Sequence, residues 1–294
     1  MITDRAVSGD AEFEQERPRL EGLAYRITGS RATAEDVVQD AWLRWERSDR
    51  EAVERPAAWL TTVTSRLALD HLKSAQRTRE TYVGPWLPEV AVADPGPAER
   101  AELAESVTIG FLTVLERLGP TERVVFLLAD VFATPFEEIA AIVGKSPEAC
   151  RQIASRARTR VRDGRPRFEP TGEDAWQVAL AFLTAAQVGD LDALVSLLAD
   201  DALAISDGGA DHHAARRPVI AERIPRFIVN LTARLPEDAE LVAMSINGEP
   251  GIVTYVDGEP TVAVAVSIAD GQVERVWSIL NPEKLKHLTS TPIV

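Results

Sequence analysis

Cysteine is nearly absent from this 294-residue chain, in which Cys150 is the only one. A single thiol excludes an internal disulfide framework and a CxxC pair for metal or redox chemistry. Long apolar runs are absent too: no stretch approaches the roughly 18 residues of a membrane span, and the N-terminal segment lacks the apolar core of a signal peptide. The sequence therefore predicts a cytoplasmic protein without a membrane attachment.

Basic side chains are few relative to acidic ones, which leaves a net charge of −14. This balance disfavours nucleic-acid binding, because phosphates are contacted by Lys and Arg. The charge is unevenly spread, however: residues 145–169 hold 8 basic and 3 acidic side chains, whereas residues 171–294 hold 8 basic and 18 acidic ones. The pattern predicts a local nucleic-acid contact assisted by a larger partner, with a solvated Arg-rich helix as the alternative.

Length and composition favour two or three globular domains. Helical periodicity covers residues 20–75 and resumes near residue 98, and segments rich in Pro and Gly interrupt it at 82–97 and 164–172. Further helices are predicted at 173–188, 191–198 and 219–235, and strands at 240–247, 252–256, 262–268 and 273–280, with Asp-Gly turns at 257–258 and 270–271. Helices followed by a meander predict an α+β domain whose curved sheet leaves a pocket, in which a small-molecule ligand would fit.

Residues 135–162 contain the clearest local motif. A short helix ends at Gly144, Ser146 is suited to cap the next helix, and Pro147 is suited to its first position, which together predict a helix-turn-helix. The same corner also occurs as a plain packing unit. The outward side of the second helix carries groups suited to base edges and phosphates: Glu148, Arg151, Gln152, Ser155 and Arg156.

Two helical segments, a linker and a terminal helix-turn-helix resemble the extracytoplasmic-function (ECF) sigma factors of bacterial RNA polymerase, over about residues 12–162. The string LAYRITGSRATAEDVVQDAWLRW is similar to the domain 2 segment that docks on the polymerase clamp. The resemblance implies polymerase contacts by Asp36, Gln39, Asp40 and Leu43. The residues alone indicate only a solvated acidic helix face.

The string AWLTTVTSRLALDHLKSAQRTRE is similar to the family's helix that melts the −10 promoter element and holds the separated strand. The resemblance implies DNA contacts by Arg66, Asp70, Lys73 and Arg77. Residues 115–162 resemble domain 4, whose recognition helix contacts the −35 element as a duplex. Core RNA polymerase and promoter DNA are therefore the implied partners, and neither a metal nor another cofactor is expected.

Three further strings resemble the group of these sigma factors that carries a C-terminal SnoaL-like (NTF2-like) extension: YVGPWLPEV at 82–90, ISDGGADHH at 205–213 and NPEKL at 281–285. The chain departs from the group's WLPEP and DGGGK motifs at Val90, Ala210 and Asp211. The resemblance implies that the extension acts in cis on the sigma core, through Trp86, Leu87, Pro88, Glu89, Asp207, Gly208, Gly209, Asn281, Pro282, Glu283, Lys284 and Leu285.

The predicted fold is thus multidomain. Two all-α sigma domains, at residues 8–80 and 106–165, are joined by a Pro-rich linker at 81–105, and an α+β SnoaL-like cone follows at 173–289. Two other functions stay open. One is a polymerase-independent helix-turn-helix regulator that uses the cone as a ligand sensor. The other is a SnoaL-like enzyme, whose acid–base groups would be found among Asp207, Asp211, His212 and His213. The favoured interpretation expects no catalytic residue.

Overall fold

The computed structural model describes residues 2–79, 82, 84–91, 108–164, 173–209 and 214–288. The chain divides into two compact units. The helical unit comprises Met1–Glu80 and Val114–Gly164, and the mixed unit comprises Thr81–Thr113 and Arg165–Val294. No helix in the described ranges is both long and apolar enough to cross a membrane.

Three long helices open the helical unit: α1 (Ile2–Thr28), α2 (Arg31–Glu46) and α3 (Pro56–Arg79). Leu23 of α1, Trp45 of α2 and Leu60 of α3 are wholly buried where these helices pack together. Helix α4 (Ile109–Leu115) spans the boundary between the two units. The helical unit then continues through α5 (Pro120–Phe126), a π-helical turn (Leu127–Val131), α6 (Phe136–Val143) and α7 (Pro147–Gly164).

A buried arginine links α1 to α5 inside the helical unit. Arg123 donates from Nε and Nη2 to the carbonyl oxygen of Arg26, at 3.1 and 2.9 Å, and from Nη1 to Glu116. Arg26 is itself buried, and burial lowers the pKa of its guanidinium to about 10. Because a buried charge is tolerated only when it is well hydrogen-bonded, these contacts fix the approach of the two helices.

Beyond the start of α4, the described residues of the mixed unit form three α-helices and one six-stranded sheet. Its helices are α8 (Glu173–Val188), α9 (Leu191–Leu197) and α10 (Ile224–Thr232). Its strands are β1 (Leu198–Asp207), β2 (Val219–Ile220), β3 (Glu240–Ile246), β4 (Glu249–Val256), β5 (Glu259–Ala269) and β6 (Gln272–Ile279). The spatial order is β2-β1-β6-β5-β4-β3, in which β1 runs parallel to β6 and every other pair is antiparallel.

The two faces of this sheet carry different cores, because successive side chains of a strand point to opposite sides. In β6, Val276 packs in the cluster formed with the helices, which includes Phe182 and Ile224. The next residue, Trp277, packs in a second cluster that includes Leu87 and Leu285. We call these the helix-covered face and the opposite face.

The predicted order, with helical segments that contain a helix-turn-helix followed by an α+β domain, is confirmed. Both Asp-Gly pairs form turns, and Asp257, Gly258, Asp270 and Gly271 all have positive φ. The helix predicted at 219–235 is shorter, since Val219 and Ile220 pair with β1 and α10 begins only at residue 224.

Strand β1 and the first residues of β4 and β5 were not evident from the sequence. Strand β1 was missed, because its sequence LADDALAISD carries three aspartates and three alanines and a single β-branched residue, Ile205. Strand β4 begins three residues earlier than predicted, through a Glu-Pro-Gly sequence typical of turns. Gly251 is required there, because a Cβ atom would lie 2.4 Å from the carbonyl oxygen of Val264.

Candidate nucleic-acid interface and linker-binding site

The helix-turn-helix has the local geometry that its sequence indicates. Gly144 ends α6 with φ 68°, in the left-handed region, and the Ser146 hydroxyl accepts a hydrogen bond from the amide of Ala149. The inward residues of α7 are buried: Ile153, Ala154, Ala157 and Val161. The five residues expected to face outward are all exposed: Glu148, Arg151, Gln152, Ser155 and Arg156. Helix α7 therefore presents one continuous polar face.

Arg151 is held on this face by weak contacts. Its guanidinium lies 2.9 Å from the carboxylate of Glu137 and 3.6 Å from that of Glu148, and stacks over the ring of Phe136. All three charged side chains are largely exposed, so these ion pairs are worth about 1 kcal/mol or less. A phosphate or a base edge can therefore replace the two carboxylates at small energetic cost.

Helix α3 carries a second exposed row. Arg66, Asp70 and Lys73 lie at positions i, i+4 and i+7, and all three are exposed. Arg66 donates from Nη2 to the carbonyl oxygen of Ala141 in α6, at 2.7 Å, and Lys73 Nζ lies 3.9 Å from the Asp70 carboxylate. The backbone of Arg77 continues the helix, but its side chain lies outside the described part of the chain.

Helix α2 separates its apolar and acidic sides cleanly. Ser30 caps the helix by accepting a hydrogen bond from the amide of Thr33. The side of α2 that faces the helical core is buried, whereas the predicted polymerase-contact residues lie on the other side. Asp36, Gln39 and Asp40 are exposed, and Leu43 is half-buried. This face is acidic and accessible, as a docking surface requires.

The opposite face of the sheet in the mixed unit carries a segment of the linker. This segment, residues 82 and 84–91, is called the docked linker; residues 92–105 of the predicted linker lie outside the described residues. The wholly buried carboxylate of Asp207 is the centre of the contact. It accepts hydrogen bonds from Tyr82 Oη at 2.5 Å, from the Leu87 amide at 2.8 Å and from the Gly209 amide at 3.1 Å.

Lys284 supplies the countercharge to this carboxylate. Its Nζ lies 2.6 Å from Asp207 Oδ2, donates to the carbonyl oxygen of Leu87, and sits 4.0 Å from the centroid of the Trp86 ring. Both charged side chains of the pair are at least nine-tenths buried. The cation is thus satisfied by a carboxylate, a carbonyl and an aromatic face together.

Tyr82 and Asn281 complete the cluster. Asn281 Nδ2 donates to Tyr82 Oη at 2.9 Å, and burial together with the Asp207 carboxylate raises the pKa of the Tyr82 phenol. Gly209 has φ 67°, and a Cβ atom there would lie 2.9 Å from Asn281. The structure therefore brings together residues from the three strings at 82–90, 205–213 and 281–285, while Pro282 and Glu283 stay exposed and Glu89 is half-buried.

Apolar burial and backbone pairing extend the contact along the docked linker. The side chains of Leu87 and Val90 are wholly buried, and each such burial is worth about 1.5–3 kcal/mol. Ala91 and Asn247 exchange two hydrogen bonds, from Ala91 N to Asn247 Oδ1 at 2.9 Å and from Asn247 N to Ala91 O at 2.7 Å. His287 Nε2 lies 2.5 Å from the carbonyl oxygen of Val90.

A buried glutamate holds the start of α4. Glu249 accepts a hydrogen bond from the Ile109 amide at 3.2 Å and another from the Ser267 hydroxyl, which in turn accepts from Trp277 Nε1 at 2.8 Å. Burial raises the pKa of Glu249 to about 7. Sequence reasoning missed Glu249, Asn247 and Tyr82, because Asn-Gly-Glu-Pro-Gly is typical of an exposed turn and Tyr82 lies in a segment without periodicity.

Of the four acid–base candidates of the enzyme hypothesis, Asp207 alone lies within the described residues. Asp207 is ion-paired with Lys284 and accepts hydrogen bonds from Tyr82 Oη and the Leu87 amide, so both of its carboxylate oxygens are engaged in contacts with the docked linker and Lys284. Asp211, His212 and His213 lie outside the described residues. In the ranges that are described, no group of three or more His, Cys, Asp or Glu side chains is arranged to hold a metal ion.

Known proteins resemble this chain both in parts and over nearly its full length. Residues 13–78 match the Sigma-70 region 2 family and residues 110–161 match Sigma-70, region 4. The ECF RNA polymerase sigma factor SigJ of Mycobacterium tuberculosis is 41% identical, over 96% of this chain and 94% of its own length. The probable ECF RNA polymerase sigma factor SigI of the same species is 33% identical, over 95% of each chain.

The fold is shared as well. The crystal structure of the Mycobacterium tuberculosis SigJ superposes with a TM-score of 0.75 and 38% identity, and the match covers 97% of this chain and 99% of that one. Since this match includes the C-terminal part, the mixed unit has a counterpart in a relative and is not an unrelated fusion.

We predict that Asp207→Asn releases the docked linker. Without the carboxylate, the buried ammonium of Lys284 loses the opposite charge that lies 2.6 Å away, and breaking a buried ion pair on one side costs about 3–5 kcal/mol. Hydrogen–deuterium exchange of residues 84–91, and of the Leu87 amide above all, should become markedly faster. Glu283→Gln is the control, because Glu283 forms an exposed pair with Lys286 and its loss should leave exchange unchanged. Unaltered protection in Asp207→Asn would contradict the assignment.

A pH dependence follows from Glu249. Its pKa is near 7 in the folded protein and lies near 4.5 when the group is unperturbed, so the folded state binds the proton more tightly. The free energy of unfolding of the mixed unit should therefore fall as pH rises from about 4.5 to 7, by roughly 3 kcal/mol from this group. Urea unfolding followed by tryptophan fluorescence measures this slope. Glu249→Gln should remove the slope and the exposed Glu240→Gln should keep it; equal slopes in all three proteins would disprove it.

Proposed function

The chain belongs to the ECF RNA polymerase sigma factors, and from this premise we propose that it binds core RNA polymerase and directs transcription from specific promoters. The observation that carries the proposal is the exposed polar face of α7, within the region 4 match, where all five expected DNA-contact residues lie on one side. Arg and Gln are the side chains that form paired hydrogen bonds to guanine and adenine in the major groove.

We propose that domain 2 supplies the remaining contacts. The acidic side of α2 docks on polymerase, while Arg66 and Lys73 of α3, with Arg77, hold the backbone of the separated strand. Separated strands are bound by cations that follow the backbone together with groups that replace base stacking. The exposed i, i+4, i+7 row on α3 supports this role, since its charges are available to a strand that runs along the helix.

The third part of the proposal is regulation in cis. The docked linker is fixed within the mixed unit at the Asp207–Lys284 pair and at the Ala91–Asn247 pairing, and Glu249 holds the start of α4, which follows the linker. Because these contacts join parts of one chain, their effective concentration is high and a modest interface stays occupied. The mixed unit thereby limits the conformations of the linker, and through it the separation that domains 2 and 4 can reach.

The test is transcription with purified core polymerase on a fragment library, followed by sequencing of the 5′ ends. Transcripts should start downstream of one shared pair of sequence elements. Asp207→Asn should change transcript yield several-fold relative to Glu283→Gln while binding to core polymerase is retained, because it frees the linker without altering α2. Failure of the wild-type chain to bind core polymerase at micromolar concentration would overturn the proposal, and equal yields from both variants would overturn the regulation alone.

Specificity has its own test. Arg151→Ala and Gln152→Ala should each weaken binding to the upstream element by about 1–3 kcal/mol and relax the preference at one base position. Arg162→Ala, exposed near the end of the same helix, is the control and should weaken all sequences alike or not at all. Binding of a set of single-base variants, measured at fixed salt concentration, gives the comparison. A uniform loss for Arg151→Ala would identify Arg151 as a phosphate contact.

A further inference from the structure

A cavity of about 250 Å³ lies between the helix-covered face of the sheet and helices α8 and α10. Its wall is largely apolar, and Phe182, Leu183, Ile228, Leu241, Val262 and Val264 belong to it. Protein interiors are otherwise packed without voids much larger than a water molecule. An apolar cavity of about 150 Å³ already accommodates benzene, so this one is large enough for a body of about two fused rings.

Two hydroxyl groups interrupt the apolar wall. Thr254 and Ser278 both line the cavity, and both residues are more than nine-tenths buried. Within the described part of the chain, neither hydroxyl has a hydrogen-bond partner, whereas the third hydroxyl of the wall, on Thr232, bonds to the carbonyl oxygens of Ala186, Ile228 and Val229. Buried hydroxyls usually have partners. Thr254 and Ser278 thus offer an unused polar contact inside an apolar space.

Arg234 supplies a charge at the edge of the cavity. It lies in the turn that follows α10, is exposed, and is one of the lining residues. It forms no ion pair with any residue that the structure describes, in contrast to Arg151, Arg158 and Arg160 of the helical unit. A guanidinium is suited to a carboxylate, with which it forms two parallel hydrogen bonds.

We propose that this cavity is a binding site for a small aromatic hydroxy acid, with a body of about two fused rings. The ring system occupies the apolar space, a ring hydroxyl pairs with Thr254 and Ser278, and the carboxylate pairs with Arg234. Each of the three features of the ligand corresponds to one feature of the wall. The site is distinct from the docked linker, which lies on the opposite face of the sheet, and does not depend on the proposed transcription function.

The test uses three probes that separate these features: 6-hydroxy-2-naphthoate, 2-naphthoate without the hydroxyl, and 2-naphthol without the carboxylate. Binding to the full-length chain is measured by probe fluorescence and by calorimetry. The complete probe should bind at least about tenfold more tightly than either truncated one. Arg234→Gln should remove the advantage of 6-hydroxy-2-naphthoate over 2-naphthol, and Ser278→Ala with Thr254→Val should remove its advantage over 2-naphthoate.

Two further variants keep the test decisive. Arg226→Gln, an exposed arginine of α10 that does not line the cavity, should leave all three affinities unchanged. Val264→Phe fills the cavity and should abolish binding of all three probes, with circular dichroism checking that the chain is folded. Equal affinities for the three probes, or unchanged affinity in Arg234→Gln, would overturn the proposed ligand class. Unchanged binding in folded Val264→Phe would overturn the site itself.

Discussion

The buried ion pair between Asp207 and Lys284 is the interaction on which the organisation of the mixed unit depends. Two charges withdrawn from water are stable only if their remaining hydrogen-bonding capacity is filled. Here it is filled largely by the docked linker, which contributes the Tyr82 hydroxyl, the Leu87 amide and the Leu87 carbonyl. This cluster therefore fixes three segments together: the end of β1, the turn after β6 and the linker. If any one of them leaves, a buried charge in the cluster loses part of its hydrogen bonding or its ion pair.

Local signals in the sequence were enough to predict the helix-turn-helix. Gly144, Ser146 and Pro147 act within one turn of their own position, and the inward and outward sides of α7 follow from a period of 3.6 residues. The Asp-Gly turns are equally local. The meeting of Trp86, Asp207 and Lys284 could be expected only from a resemblance, because residues so far apart in sequence carry no shared periodicity. The regulatory role and the domain boundaries drawn from the sequence stay predictions.

Long-range pairing explains what the sequence did not reveal. Strand β1 is stabilised by its parallel partner β6, more than 60 residues away, rather than by its own propensity. Glu249 lies in a sequence typical of a turn, and its burial depends on Ile109 and Ser267, which come from elsewhere in the chain. The cavity wall combines residues from four strands and two helices, so neither its volume nor its unpaired hydroxyls are visible in any one segment.

The contact between Arg66 and Ala141 has a consequence for promoter geometry. Arg66 touches α6 at Ala141 and Arg151 touches the same helix at Glu137, so the two proposed DNA-contact surfaces flank one helix that is about 12 Å long. Elements centred at −10 and −35 lie roughly 25 base pairs apart, which is about 85 Å of duplex at 3.4 Å per base pair. The helical unit as it stands cannot span that distance. Occupying both elements of one promoter requires that α3 and α6 separate and that the hydrogen bonds from Arg123 to the end of α1 break. The free energy of the DNA contacts must then exceed the free energy that this separation costs.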